Sequence, residues 1–369
     1  MNNLDDLKKI QELDPAGMLK AEEDFYEQLI EAQNIAKKAD LSKLSSSEFK
    51  GVAILGMGGS GFSADIIKTL VVDEIKVPVE VVKGYDLPAF IGRGWLVVAV
   101  SYSGNTEETI SALNQAIGRD AYILIECSGG KLKDLAEKSG YSTLNIPSGL
   151  QPRGAIGYLF FPVYLAMGTL GLIDIDESDV EEALDLIKEK APIYNRKTLT
   201  TANPAKQLAA RIGDRLPIIY GTEGIYSALS YRLKCEINEN SKTPCWWNNF
   251  PELNHNETVG WERLAGITGG FILIVFRDPE AHPKMKTRIE VTLGQIKSNV
   301  AEIVEIPVEG RSKLAKALSA MYLGDIASVY LALITGVDPT PVVKIESLKA
   351  ELAKLDQESE PNSRTGSQR

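Results

Sequence analysis

Histidine and cysteine are both scarce, with 2 of the first and 3 of the second in a chain of 369 residues. No His/Cys/Asp/Glu cluster has the spacing of a metal site, and two histidines leave little room for one. Cys127, Cys235 and Cys245 form neither a CxxC pair nor an even set, so neither a zinc ribbon nor a disulfide framework is indicated, and a reducing cytoplasm is the expected compartment. Long apolar runs are missing as well. No stretch reaches about 18 apolar residues, and the opening "MNNLDDLKKIQELDPAGM" is acidic early and lacks an apolar h-region, so neither a membrane span nor a signal peptide is expected. Positive charge is in deficit, 40 Lys and Arg against 50 Asp and Glu, for a net charge of -10. That balance argues against nucleic acid or an anionic membrane as the main partner; an anionic substrate would need a local basic pocket.

What is present is an α/β grammar. A hydrophobic content of 44% is enough for one large unit or two ordinary domains. Residues 4 to 39 have helical spacing, broken near Pro15. From Val52, short apolar runs alternate with helical segments: "VAILG", "VPVEVVKG", "GWLVVAVSYS", "AYILIEC" and "STLNIP" read as strands. Continuous apolar strands separated by helices predict a parallel sheet covered on both faces. A buried helix, "RGAIGYLFFPVYLAMGTLGLI", and an acidic helical connection follow, and the pattern restarts with strands "LPIIYGTEG", "GGFILIVFRD" and "AEIVEIPV". "IIYGTEGIYSAL" echoes "AILGMGGSGFSAD", which suggests two similar domains from an internal duplication. The expected organisation is helices at 1–45, a first domain at 46–165, a helical connection at 166–200, a second domain at 201–355 and a disordered polar tail at 356–369.

Gly56, Gly58 and Gly61 in "AILGMGGSGF" satisfy G-x-G-x-x-G after an apolar run, as a dinucleotide fingerprint would. Such a site normally places Asp or Glu at the end of the second strand to hold the ribose. Here that strand ends in "VVKGY", whose Lys83 would suit only a cofactor with an extra phosphate. The next long strand ends in "SYSGNTEET", delivering Ser101, Ser103 and Thr106 in a turn that opens into a helix, with Asn105 placed to cap it and Glu108 at N3. Two anion-friendly turns on neighbouring strands, with Gly58, Gly59 and Ser60 in the first, suit one phosphate monoester and no cofactor.

"GMGGSG" followed about 40 residues later by "SYSGNT" resembles the sugar isomerase domain, which binds phosphosugars by these two turns. "KCEINENSKTP", "PELNHNE" and the terminal "IESLK" resemble the bifunctional phosphoglucose/phosphomannose isomerase family, over a span from about Val52 to Leu352. The resemblance implies two sugar-isomerase-type domains, each a doubly wound, flavodoxin-like parallel sheet flanked by helices. It implies a metal-free aldose–ketose isomerase that interconverts glucose 6-phosphate or mannose 6-phosphate with fructose 6-phosphate through a cis-enediol. Glu239 falls on the family's base, and His255 on a ring-opening acid/base contributed across a homodimer interface. Arg153 falls on an enediolate-stabilising arginine, and Lys349 on a C-terminal lysine that assists ring opening or anchors a hydroxyl, with Lys344 close enough to compete for that assignment.

Plainer readings stand beside these. Glu239 could be a surface residue, His255 a loop histidine, Lys349 a solvated face, and His282 only a helix-start residue. Trp246 and Trp247 read as core or interface rather than sugar-stacking. A non-catalytic phosphosugar sensor and an aminosugar-phosphate isomerase are the competing functions; the sensor would usually bring a basic DNA-binding module, and none is evident.

Overall fold

A computed structural model describes residues 3–45 and 47–359. Three helices come first, α1 (Leu7–Leu13), α2 (Met18–Glu23) and α3 (Phe25–Lys38). The first α/β unit follows as β1 (Gly51–Leu55), α4 (Gly58–Val71), β2 (Val79–Val82), β3 (Trp95–Ser101), α5 (Glu107–Gly118), β4 (Tyr122–Cys127), α6 (Gly130–Ser139) and β5 (Ser142–Asn145). Helices α7 (Ile156–Thr169), α8 (Glu177–Tyr194) and α9 (Pro204–Ile212) lead to the second unit. That unit runs β6 (Leu216–Thr222), α10 (Ile225–Asn240), β7 (Trp246–Phe250), α11 (Glu257–Gly260), α12 (Ala265–Thr268), β8 (Phe271–Arg277), α13 (Pro283–Ile296) and β9 (Glu302–Pro307). The long α14 (Lys313–Thr335) and α15 (Val343–Ser359) close the described chain.

Both sheets are parallel throughout, as the continuous apolar strands predict: every residue of β1 and β3 is buried. The first has the order β2-β1-β3-β4-β5, the flavodoxin-like doubly wound order; the second, β7-β6-β8-β9, repeats it one strand short. The topological match gives structural content to the echo between the glycine turns after β1 and β6.

One core runs between the sheets. It joins Val52, Ile54 and Val98 of the first to Ile219, Ile274 and Val304 of the second through the side chains of α4, α7, α10 and α14. Helix α14 is long and apolar enough to cross a membrane, although polar residues interrupt its apolar run. It is almost wholly buried against α8, α9 and α10, and a helix enclosed on every side is apolar all round for that reason.

Strand β7 was not anticipated: "WWNNF" is an edge strand with two asparagines, and its periodicity is weak. Its Trp246 is half-exposed and so not a core residue, whereas Trp247 packs at 5.6 Å from the Tyr231 ring. Of the tail expected to be disordered from 356, residues 360–369 lie outside the described residues, and 356–359 continue α15, whose Ala, Leu, Glu and Lys favour helix.

Candidate active site

The glycine turn leaves β1 and the serine turn leaves β3, adjacent strands whose connections run to opposite sides of the sheet. Their carboxyl ends form the switch point at which open α/β sheets bind ligands. The Tyr102 N–H donates to Ser60 Oγ at 3.3 Å, which ties the two turns together. Ser60 and Ser101 are both buried, and the Ser101 and Thr106 hydroxyls share a 2.9 Å hydrogen bond. Ser103 is the exposed hydroxyl of the set and accepts from the Asn105 N–H at 3.2 Å.

Asn105 does not cap α5. Thr106 occupies the cap position and makes no side-chain cap bond, which leaves the first N–H groups of the helix without a side-chain acceptor. The Asn105 amide is spent elsewhere: Nδ2 donates to the Ser103 carbonyl and Oδ1 accepts from the Lys131 N–H, fastening this turn to the one after β4. The lysine left open for a cofactor phosphate is also engaged, because Lys83 pairs with Asp65 and lies 5.0 Å over the Tyr231 ring.

The glycine turn also meets the 3-10 turn Pro152–Ala155. A Cβ at Gly59 would lie 3.0 Å from the Pro152 carbonyl oxygen, so glycine allows this approach. The next residue is Arg153, which is buried. Its Nε donates to Asn240 Oδ1 at 2.7 Å, and Nη2 donates to the Pro339 and Thr340 carbonyls at 2.8 Å each. Those bonds use three of the five guanidinium N–H groups. Nη1 is left facing Glu239 Oε2 at 3.6 Å. Glu239 lies in the last turn of α10 with its side chain about one-third exposed. A buried, fixed cation and a partly open carboxylate thus share one corner beside the glycine turn. The first can stabilise a developing oxyanion and the second can carry a proton.

Four residues of this corner carried no local signal. Asn240 is held by Glu236 and Ser328. Lys242 donates to the Glu239, Asn240 and Pro339 carbonyls, and burial together with the Arg153 charge lowers its ammonium to about 8. The Thr340 hydroxyl is buried and has no partner among the described residues. Arg232, also buried, bridges Asp325 and Glu236 and donates to the Arg153 carbonyl at 2.8 Å. Only the i,i+4 spacing of Arg232, Glu236 and Asn240 in "RLKCEINEN" could have flagged a shared helix face.

Two expected site residues stand apart from this corner. His255 closes a 3-10 turn, Glu252–His255, with its ring exposed and no hydrogen-bond partner among the described residues. Its neighbours are anchored: Asn254 donates to Thr292 Oγ1 at 2.7 Å, and Asn248 donates to Glu257 at 2.6 Å. Lys349 and Lys344 are both exposed on α15, and neither is bonded to Arg153 or Glu239. Val343, Ile345 and Leu348 on the same helix are exposed too. His282 caps α13, its Nδ1 accepting from the Lys284 N–H at 3.2 Å, in line with its plainer reading.

Residues 201–352 match the model of the bacterial phospho-glucose isomerase C-terminal SIS domain. The chain is 40% identical to the bifunctional phosphoglucose/phosphomannose isomerase of Caldicellulosiruptor bescii over 89% of its own length and 97% of that protein. It belongs to the bifunctional phosphoglucose/phosphomannose isomerase family. A more distant relative, at 31% identity over 83% of this chain and 90% of its own, is the D-glucosamine-6-phosphate 4-epimerase of Sulfolobus acidocaldarius. Among solved structures, a glucose-6-phosphate isomerase like protein from Thermus thermophilus superimposes with a TM-score of 0.61 at 19% identity. The alignment covers 95% of this chain and 99% of that one, a likeness of fold. In this chain the paired turns leave the carboxyl ends of β1 and β3, with the Arg153–Glu239 corner beside the glycine turn, whereas His255 is exposed after β7 and Lys349 is exposed on α15.

Proposed function

We propose that this chain is an aldose–ketose isomerase that interconverts glucose 6-phosphate and mannose 6-phosphate with fructose 6-phosphate, acting as a cytoplasmic homodimer. Gly58, Gly59, Ser60, Ser103 and Thr106 receive the phosphate, and Ser101 holds Thr106 in place. The Glu239 carboxylate removes the C2 proton of the open-chain aldose, electrons move onto the C1 oxygen, and a cis-enediolate forms. Arg153 Nη1 stabilises that oxygen, a proton passes from the C2 hydroxyl to the C1 oxygen, and Glu239 returns its own proton at C1 as the C2 carbonyl forms, giving the ketose. Both aldoses pass through the same enediol, since they differ only at C2. His255 of the partner opens the ring by moving a proton between the ring oxygen and the C1 hydroxyl, and Lys349 assists.

The observation that carries this reading is the fixed Arg153 guanidinium 3.6 Å from Glu239, against the glycine turn that meets the serine turn. Family membership supports it, while the epimerase among the relatives makes the reaction itself the thing to test. Purified protein given fructose 6-phosphate should yield both glucose 6-phosphate and mannose 6-phosphate without added metal or cofactor. Production of neither, with tight sugar-phosphate binding retained, would favour the non-catalytic sensor.

A further inference from the structure

The guanidinium of Arg153 does not select its own orientation. Its Nε bond goes to the Oδ1 of Asn240, a residue buried completely. Asn240 has no freedom to turn that oxygen away. Its Nδ2 donates to Glu236 Oε2 at 3.0 Å and to Ser328 Oγ at 2.8 Å, so both amide hydrogens are spent and the oxygen is left facing Arg153. Glu236 is fixed in turn by Arg232, whose Nη1 lies 3.0 Å from Glu236 Oε1. Arg232 is seated on Asp325 by bonds of 2.8 to 3.0 Å, and its Nη2 also donates to the Arg153 carbonyl. The chain of contacts therefore closes on itself: it grips Arg153 at the main chain through Arg232 and at the guanidinium through Asn240.

We propose that Asn240, oriented by Glu236 and Arg232, is the positioning residue for Arg153 and aims Nη1 at the ligand. The inference rests on the reading of Arg153 as the group that meets the substrate oxyanion, and it deepens that reading. Asn240 itself lies behind the guanidinium and needs no contact with substrate. A planar donor fork held at Nε and Nη2 has its two Nη1 hydrogens fixed in direction, so the donor meets the developing charge without reorganising. Without Asn240 the fork keeps its carbonyl partners but can swing about them, and Nη1 loses its aim.

A double-mutant comparison tests this, using Arg153→Ala, Asn240→Leu and the pair together, with binding of 5-phosphoarabinonate measured by calorimetry and turnover of fructose 6-phosphate measured in parallel. Asn240→Leu should weaken binding by about tenfold when Arg153 is present and by less than about twofold when Arg153 is already Ala. Losses of kcat should follow the same pattern, with KM changing less than kcat. Equal losses in both backgrounds would overturn the proposal, because Asn240 would then act on the fold or the ligand directly. Asn240→Ser, which leaves less volume to misfit, is read by the same comparison if the Leu variant fails to fold. The hydrogen bond is also tested without any ligand, by the Arg153 Nε–H resonance of ¹⁵N-arginine-labelled protein. The proposal expects a slowly exchanging signal that Asn240→Ser moves or broadens, and an unchanged signal would sink it. A wild-type protein that neither binds nor turns over sugar phosphate would refute the isomerase reading alone, and the resonance would still decide the role of Asn240.

Discussion

Gly104 offers a direct test of whether the phosphate-binding turn is built by backbone contacts. Its φ is +68°, and a Cβ placed there would lie 1.8 Å from the Gly129 carbonyl oxygen, in the turn after β4. In Gly104→Ala the two turns must open by more than about 1 Å before even the tightest real contact is reached. The bonds that hold them together are Ser128 to the Tyr102 carbonyl, Leu132 N–H to the Gly104 carbonyl at 3.0 Å, and Lys131 N–H to Asn105 Oδ1 at 3.1 Å. Losing two of these at about 0.5–1.5 kcal/mol each, with about 1–2 kcal/mol for a left-handed alanine, gives about 2–5 kcal/mol in total. Calorimetric unfolding should show Tm lowered by about 3–6 °C. Because the Ser103 carbonyl packs against Gly130, the residue after Gly129, 5-phosphoarabinonate should bind at least about tenfold more weakly. Gly118→Ala, at an exposed helix end where a Cβ meets nothing within 4 Å, is the control and should be neutral or slightly stabilising. Wild-type Tm and affinity in Gly104→Ala would refute the idea that this turn is pinned by its neighbour.

Parts of the site that depend on the backbone were legible in the sequence. A tight turn between a strand and a helix demands glycine and small hydroxyls, and those demands appear as local motifs in "GMGGSG" and "SYSGNT". Chain order then placed both turns at one switch point, because β1 and β3 pair directly. The support of Arg153 was not legible. Its partners Asn240, Pro339 and Thr340 lie in segments that only the fold brings near it, and each bond there is long-range in the chain. Asn105 misled for a related reason: an Asx residue before a helix can cap it or can bridge to another turn, and the competing Lys131 N–H is a tertiary partner. Strand β7 escaped because an edge strand with one exposed tryptophan has no need of the apolar run that marks a central strand. His255 and Lys349 are exposed in a single chain, away from Arg153 and Glu239, and the role proposed for His255 calls for a second copy of the chain.

Three further outcomes are expected. Glu239→Gln should keep 5-phosphoarabinonate binding and lose turnover by about 10²–10⁴-fold; near wild-type kcat would remove Glu239 from the mechanism. Mixing inactive Glu239→Gln and His255→Ala subunits should restore activity through heterodimers with one intact site, and exchange without recovery would mean that each site is built within one chain. Glu126 supplies the pH test. It is completely buried in β4 with neither carboxylate oxygen partnered among the described residues, and burial raises its pKa well above the usual value. The folded chain therefore holds this proton where the unfolded chain releases it, near pH 4.3. Stability from this group is complete below that pH and declines by about 1.4 kcal/mol per pH unit as pH rises toward the folded pKa. Glu126→Gln keeps the shape and removes the ionisation, so its Tm relative to wild type should rise as the pH is raised above about 5. A difference that stays constant as the pH rises would mean that the two states of the wild type bind this proton equally, and that the buried carboxyl is not the liability its surroundings make it.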